Sequence, residues 1–212
     1  MAQPWKSPFN GFALRALVGV VVLTLLWSLV SQWLALPVGG LSGWVLEHGA
    51  TQWVQFTKLS ERNWLEVHTS LSVINAETGW KRGEVILDIN PARYAYSFPV
   101  LVALLLAMRG KGRWERVLAG YALLLPLQVF STVAMALIQI CLSVGMDLAT
   151  LGIAAWQLEV LAYAYQLGVL MVPVLSPFLL WLWLDWKRVR SELIDTSWRR
   201  SGTPQAPAKA SS

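Results

Sequence analysis

Apolar residues are grouped in four blocks along the chain, separated by polar or alternating stretches. Residues 12–36 form an almost unbroken apolar run, long enough at about 1.5 Å per residue to cross a hydrocarbon core of about 30 Å. The run exceeds the apolar core of a cleaved signal peptide, about 7–15 residues, and ends in Leu36-Pro37-Val38. It reads as a retained first transmembrane helix. Pro37, Gly39 and Gly40 break that helix, and Leu41, Trp44, Val45, Trp53 and Phe56 then recur near helical spacing among Glu47, His48, Gln52 and Gln55. This pattern predicts a helix lying in the membrane interface.

The period then changes to two. Leu65, Val67, Leu71 and Val73 alternate with Glu66, His68, Ser70 and Ser72, and Val85, Leu87 and Ile89 alternate with Glu84 and Asp88. Two strands follow from this, joined as a β-hairpin by a long turn containing Asn75, Gly79 and Gly83. Asn90-Pro91 reads as a helix start, with Asn as N-cap and Pro in the first turn. The second span, 91–108, is 18 residues long and covers about 27 Å, just enough to cross. Gly110 supplies its stop, and 109–116 is a tight basic loop. A third span covers 117–144, a mixed connector 145–159, and a fourth span 160–186, kinked by Pro173 and Pro177. Residues 187–212 form a polar tail ending in a Gly/Ser/Pro/Ala-rich stretch expected to be disordered. The predicted fold class is therefore mainly α: a polytopic membrane protein with four transmembrane helices. Its N-terminal segment is 1–11, and its outer segment, 37–90, holds an interfacial helix and a β-hairpin.

Composition strengthens this reading. The chain of 212 residues is 56% hydrophobic and 14% charged, with a mean hydropathy of +0.50, more apolar than a soluble domain. Many of its 13 Trp flank apolar runs, as indoles at the headgroup level do. The net charge of +5 lies beside the spans, so it reads as topology and not as a nucleic-acid footprint. Twelve of the 17 Lys and Arg fall on the side holding both termini and the basic loop, which predicts N-in and C-in in a cytoplasmic membrane. The same basic loop reads first as a topology signal, and is also suited to contact anionic lipid or a cytosolic partner. Cys141 is the one cysteine, which excludes an intrachain disulfide.

The spans carry no acidic residue near their centres. Their polar residues are Tyr94, Tyr96, Tyr121, Gln128, Ser131, Thr132, Gln139, Tyr163, Tyr165 and Gln166. Under the predicted topology, several fall close to Arg93, near the outer surface. Such a cluster suits ligand or partner recognition, and equally plain interhelical hydrogen bonding. Cys141, Arg93 and His68 could together serve a thiol transpeptidase or protease, a cation favouring the thiolate and Arg holding an oxyanion or carboxylate. An isolated Cys in an apolar helix is just as readily a small buried hydrophobe. His48 and His68 are too few for a convincing zinc site, and no P-loop or HExxH is present. No cofactor or metal is expected.

The stretches NPARYAYSFPVLVALLLA (90–107), LLPLQ (124–128) and YQLGVLMVPVLSPFLLW (165–181) resemble the exosortase H-associated membrane protein family, in the right order and over nearly the whole chain. The resemblance implies a non-catalytic accessory of a membrane transpeptidase that sorts surface proteins with an IPTL-type C-terminal signal, in the inner membrane of Gram-negative bacteria. Its partner would be an exosortase or the sorting-signal helix of a substrate. Asn90, Arg93, Tyr94, Tyr96, Gln128, Tyr165 and Gln166 are then the candidate partner-binding residues. The contexts of the exosortase Cys, Arg and His are not recognisable around Cys141, Arg93 and His68, which weighs against the cysteine-enzyme alternative.

Overall fold

The computed structural model of the protein describes residues 8–75, 81–108 and 112–190. The first seven residues, the hairpin turn around Gly79, Arg109 to Lys111 of the basic loop, and the tail beyond Arg190 lie outside the described residues. In chain order come α1 (Pro8–Leu34), α2 (Leu36–Gly49), β1 (Val54–Leu59), β2 (Leu65–Asn75) and β3 (Lys81–Ile89). A 3₁₀ turn (Pro91–Arg93) leads into α3 (Ser97–Ala107), α4 (Arg113–Ser143), α5 (Leu148–Leu151), α6 (Ala155–Tyr165), a π-helical segment (Gln166–Met171), α7 (Val172–Leu184) and α8 (Trp186–Arg188).

Among the described residues, three stretches are helical, long and apolar enough to cross a membrane: Gly11–Leu34, Arg113–Ser143 and Ala155–Leu184. The expected fourth span is different. Asn90 does act as an N-cap, its Oδ1 accepting from Ala92 N at 3.0 Å, but what it caps is the 3₁₀ turn. Regular α-helix begins only at Ser97. The 11 residues of α3 rise about 16 Å, half of a hydrocarbon core. The second passage along the bundle is thus a composite of turn and short helix. Its backbone is paired all the same: Tyr94 N donates to Pro91 O, Ala95 N to Ala92 O and Phe98 N to Ala95 O. Gln128 Nε2, halfway along α4, reaches Ser97 Oγ at 3.1 Å and Ala95 O at 3.5 Å. Irregular backbone at membrane depth is tolerable only when enclosed in this way.

The outer segment also departs from the hairpin expectation. Val54–Leu59 is not the end of an interfacial helix; it pairs antiparallel with β2 to give a three-stranded sheet, β1-β2-β3. Trp53 and Phe56 fit helical spacing, but a segment this short fits both periods, and the ladder to β2 decides. The strands read from period two, β2 and β3, are both present, and β2 bulges where Thr69 Oγ1 donates to Val85 O at 2.8 Å. Nor do Pro37, Gly39 and Gly40 end a helix. The break falls at Ala35, Pro37 opens α2, Gly40 faces open space, and Gly39 with Gly43 brings α2 against its neighbours. A Cβ on Gly39 would stand 3.1 Å from Leu59 and 3.2 Å from Pro91, and one on Gly43 would stand 2.5 Å from Thr57 Oγ1.

The two ends of the bundle have distinct contents. At one end, Leu46, Val54, Leu65, Val67, Ile89, Tyr94, Ile140 and Leu151 share one apolar core, and Trp53 Nε1 donates to Leu151 O at 2.9 Å. The region before α3 and the α4–α6 connection therefore meet on the same side. At the other end Phe12, Ala16, Leu104, Met108 and Val189 form a second core, beside an Arg116–Asp185–Arg188 cluster. Exposed indoles mark both levels: Trp33, Trp44 and Trp156 at the sheet end, Trp114, Trp183 and Trp186 at the other. From Trp156 to Trp183 the helix rises about 40 Å, the thickness of a bilayer with its headgroup regions.

Candidate functional site

Where β3 hands over to the 3₁₀ turn, a cleft of about 190 Å³ opens between the sheet and α4. Asn90, Arg93 and Tyr94 line it on one side, Met135 and Gln139 of α4 on another, and Trp64, just before β2, and Asp88 of β3 close it. Chain geometry explains the placement. Alternation along β3 puts Asp88 and Asn90 on one face, and the Asn90 cap then turns the chain so that Arg93 emerges exposed while Pro91, Ala92 and Tyr94 are buried. Tyr94 lies close enough to Arg93 and Tyr165 to interact electrostatically with both.

A second hollow, of about 350 Å³, shares Trp64 and Asp88 with the first and adds Ser60, Glu61, Arg62 and Glu66. Together they form a groove with an acidic wall on the sheet and a cation, Arg93, at its membrane end. Glu66 and Asp88 face each other across β2 and β3, a like-charge pairing that costs stability. The indole Nε1 of Trp64 is buried without a hydrogen-bond partner. A sheet built only for stability would favour neither feature.

Three of the candidate residues meet here: Asn90, Arg93 and Tyr94 line the cleft, and Tyr165 is not part of its lining. Tyr96 and Gln166 are exposed away from its lining, Gln166 as the first residue of the π-helical segment. Gln128 is buried in its bond to Ser97, bracing the start of α3. Trp64, Asp88 and Met135 complete the cleft although the sequence did not single them out. For Asp88 a signal exists, since it sits two residues before Asn90 on the same strand face.

Cys141, His68 and Arg93 are not assembled. Cys141 is fully buried in the apolar core that includes Leu65 and Val67. His68 lies between Val67 and Thr69, both buried, and so faces the other side of the sheet, stacked on Phe56 with ring centroids 4.2 Å apart. The sheet thus separates thiol from imidazole, and neither Cys141 nor His68 is among the residues that line the cleft with Arg93. His48 is exposed and stacks on Trp44. Among the described residues, no group of three His, Cys, Asp or Glu is placed to hold a metal ion.

Beyond the cleft, Glu47 of α2 accepts from Thr57 N at 2.6 Å and from Thr57 Oγ1 at 2.8 Å. These two donors, backbone first, hold the Glu47 carboxyl below its ordinary range. The contact satisfies an N–H of the β1 edge.

No curated protein and no solved structure matches the chain. A family model described as exosortase H-associated membrane protein matches residues 6–188, which takes in all three long helices, the sheet and the cleft. The chain belongs to the exosortase H-associated membrane protein family.

Proposed function

We propose that the protein is a non-catalytic accessory of an exosortase-type sorting system, and that its sheet-end groove binds the sorting enzyme or the sorting-signal helix of a substrate. The observation that carries this reading is the groove itself: Arg93, Asn90 and Tyr94, from the family-like NPARY stretch, converge on one cleft with Gln139. Arg93 in the cleft and Asp88 where the two hollows meet offer opposite charges to a polar segment, and the exposed apolar flank of the Gln166–Leu184 helix is open to a transmembrane partner. The broken second passage acts as the fourth crossing of a cytoplasmic membrane, with the sheet end outside and both termini inside. The charge bias and the grouping of Arg15, Arg113, Arg116, Lys187, Arg188 and Arg190 at the opposite end support that orientation.

Co-purification in mild detergent tests the role. An exosortase from the same cell is expected to co-purify with the native chain, and Arg93→Glu to reduce the captured enzyme at least about tenfold, in line with reversal of a charge at an interface. Failure of the native chain to retain any exosortase rejects the proposal. Orientation is tested with Arg62→Cys, because the native Cys141 is buried: an impermeant thiol reagent added to intact cells with a permeabilised outer membrane should label it.

A further inference from the structure

At the end of the bundle opposite the sheet, α7 runs out at Leu184 and the chain turns through Asp185 into α8. A cleft of about 750 Å³ opens there, the largest described in the molecule, and the proposed role makes no use of it. Its floor is electrostatic. The Asp185 side chain is 1% exposed, in contact with Arg116 Nη1 through its Oδ1, and Arg188 Nη1 stands 3.8 Å from the same oxygen. One buried carboxylate thus draws two guanidinium groups to one spot, and Lys187 adds a third cation at the rim. Three cations against one anion leave the cleft with a net charge of +2. Its other wall is apolar and open: Leu179 is 63% exposed and Trp183 69%, on a helix long and apolar enough to lie in a bilayer.

We infer that this cleft is a binding site for an anionic phospholipid, its phosphate held by Lys187 and Arg188 and an acyl chain laid along Leu179 and Trp183. Charge and shape point to one occupant. A soluble anion would match the cations but leave the apolar wall uncovered, and a zwitterionic lipid would match the wall without neutralising the surplus charge. Guanidinium groups suit a phosphate because their N–H groups are paired and coplanar. Exposed indole at this level is placed as in the interfacial belts of membrane proteins. Basic pockets between transmembrane helices bind anionic headgroups by the same balance.

Native mass spectrometry of the full chain, released from detergent with defined lipid added, tests this directly. Phosphatidylglycerol is expected to be retained about tenfold better than phosphatidylcholine of the same acyl chains. Lys187→Gln should lower that retention about fivefold, and Lys187→Gln with Arg188→Gln should bring the two lipids level. Arg113→Gln, at the same end but outside the cleft, should leave the preference intact. Equal retention of both lipids in the native chain overturns the site, as does an equal loss in Arg113→Gln, which would mean a diffuse basic surface. Competition by soluble glycerol phosphate at the same concentration as lipid also overturns it, by showing a phosphate site that needs no acyl chain. If the double variant does not fold, Lys187→Gln decides alone, because Lys187 is exposed.

Discussion

The first and second passages along the bundle run side by side and solve the same problem in opposite ways. In α1 the helix is continuous, and only 11% of its apolar window is buried, against 50% for α4. Leu14, Leu17, Leu25 and Leu29 are each more than 60% exposed. The second passage is broken at Asn90–Tyr96 and then buried, with Leu101 and Leu105 at 0%. A helix facing lipid has no source of hydrogen bonds but itself, so it must remain unbroken. A passage enclosed by protein can borrow partners, as Ala95 and Ser97 borrow Gln128. The freedom to break lets the chain turn outward at Arg93 and form a polar cleft. At Gln166–Met171, by contrast, the largely exposed helix stays continuous: α6 passes into α7 through the π-helical segment before Pro173, with Val172 N donating to Leu167 O of the same helix.

The contrast can be broken first by cavities. Leu101→Ala in α3 is expected to cost about 2 kcal/mol, the lower end of the range for buried Leu, because lipid chains remove the water-transfer part of the penalty. Leu25→Ala in α1, 65% exposed, should change stability by less than about 0.5 kcal/mol. Reversible unfolding in mixed micelles measures both, and equal losses would mean that α1 is covered by more than lipid. Next in size is Gln128→Leu, which strips Ser97 Oγ and Ala95 O of their bond and should cost about 1–2 kcal/mol. Gln128→Glu, protonated at low pH, should recover part of that loss below neutrality.

Smaller effects are expected outside the spans. The depressed Glu47 carboxyl adds stability that is present above the unfolded value of about 4.3 and lost as pH falls through the lower folded value. Stability of the sheet end should therefore decline as the medium is acidified below about pH 4.3, and Glu47→Gln should flatten that decline. Hydrogen exchange at Thr57 N as a function of pH is the measurement, and a native-like acid decline in Glu47→Gln would remove the carboxylate from the account. Smallest of all is the expected effect of Tyr96→Phe: exposed and outside the cleft, it should shift stability by less than about 0.5 kcal/mol and leave exosortase capture unchanged, whereas Arg93→Glu does not.

Much of the molecule was determined locally. Apolar runs of 24 to 31 residues can satisfy their backbones in lipid only as helices, so hydropathy found the three long spans, and period two found β2 and β3. Asn90 was legible as a cap because its side chain reaches only two residues ahead. Other features hang on groups far apart in sequence. An N-cap followed by Pro opens a 3₁₀ turn as well as an α-helix, and only packing against α2 and α4 stops the helix from starting there. Val54–Leu59 becomes a strand because β2 offers it a ladder. Asp185 gathers Arg116 from 69 residues away, which no local pattern announces. His68 and Cys141 look like partners in a list of residues, and a sheet lies between them. Sequence alone determined which long segments are apolar enough to cross a membrane, since each would meet lipid on its own terms; tertiary structure decided where the chain between them could be interrupted and what the interruption exposes, because those bonds are supplied by other parts of the chain.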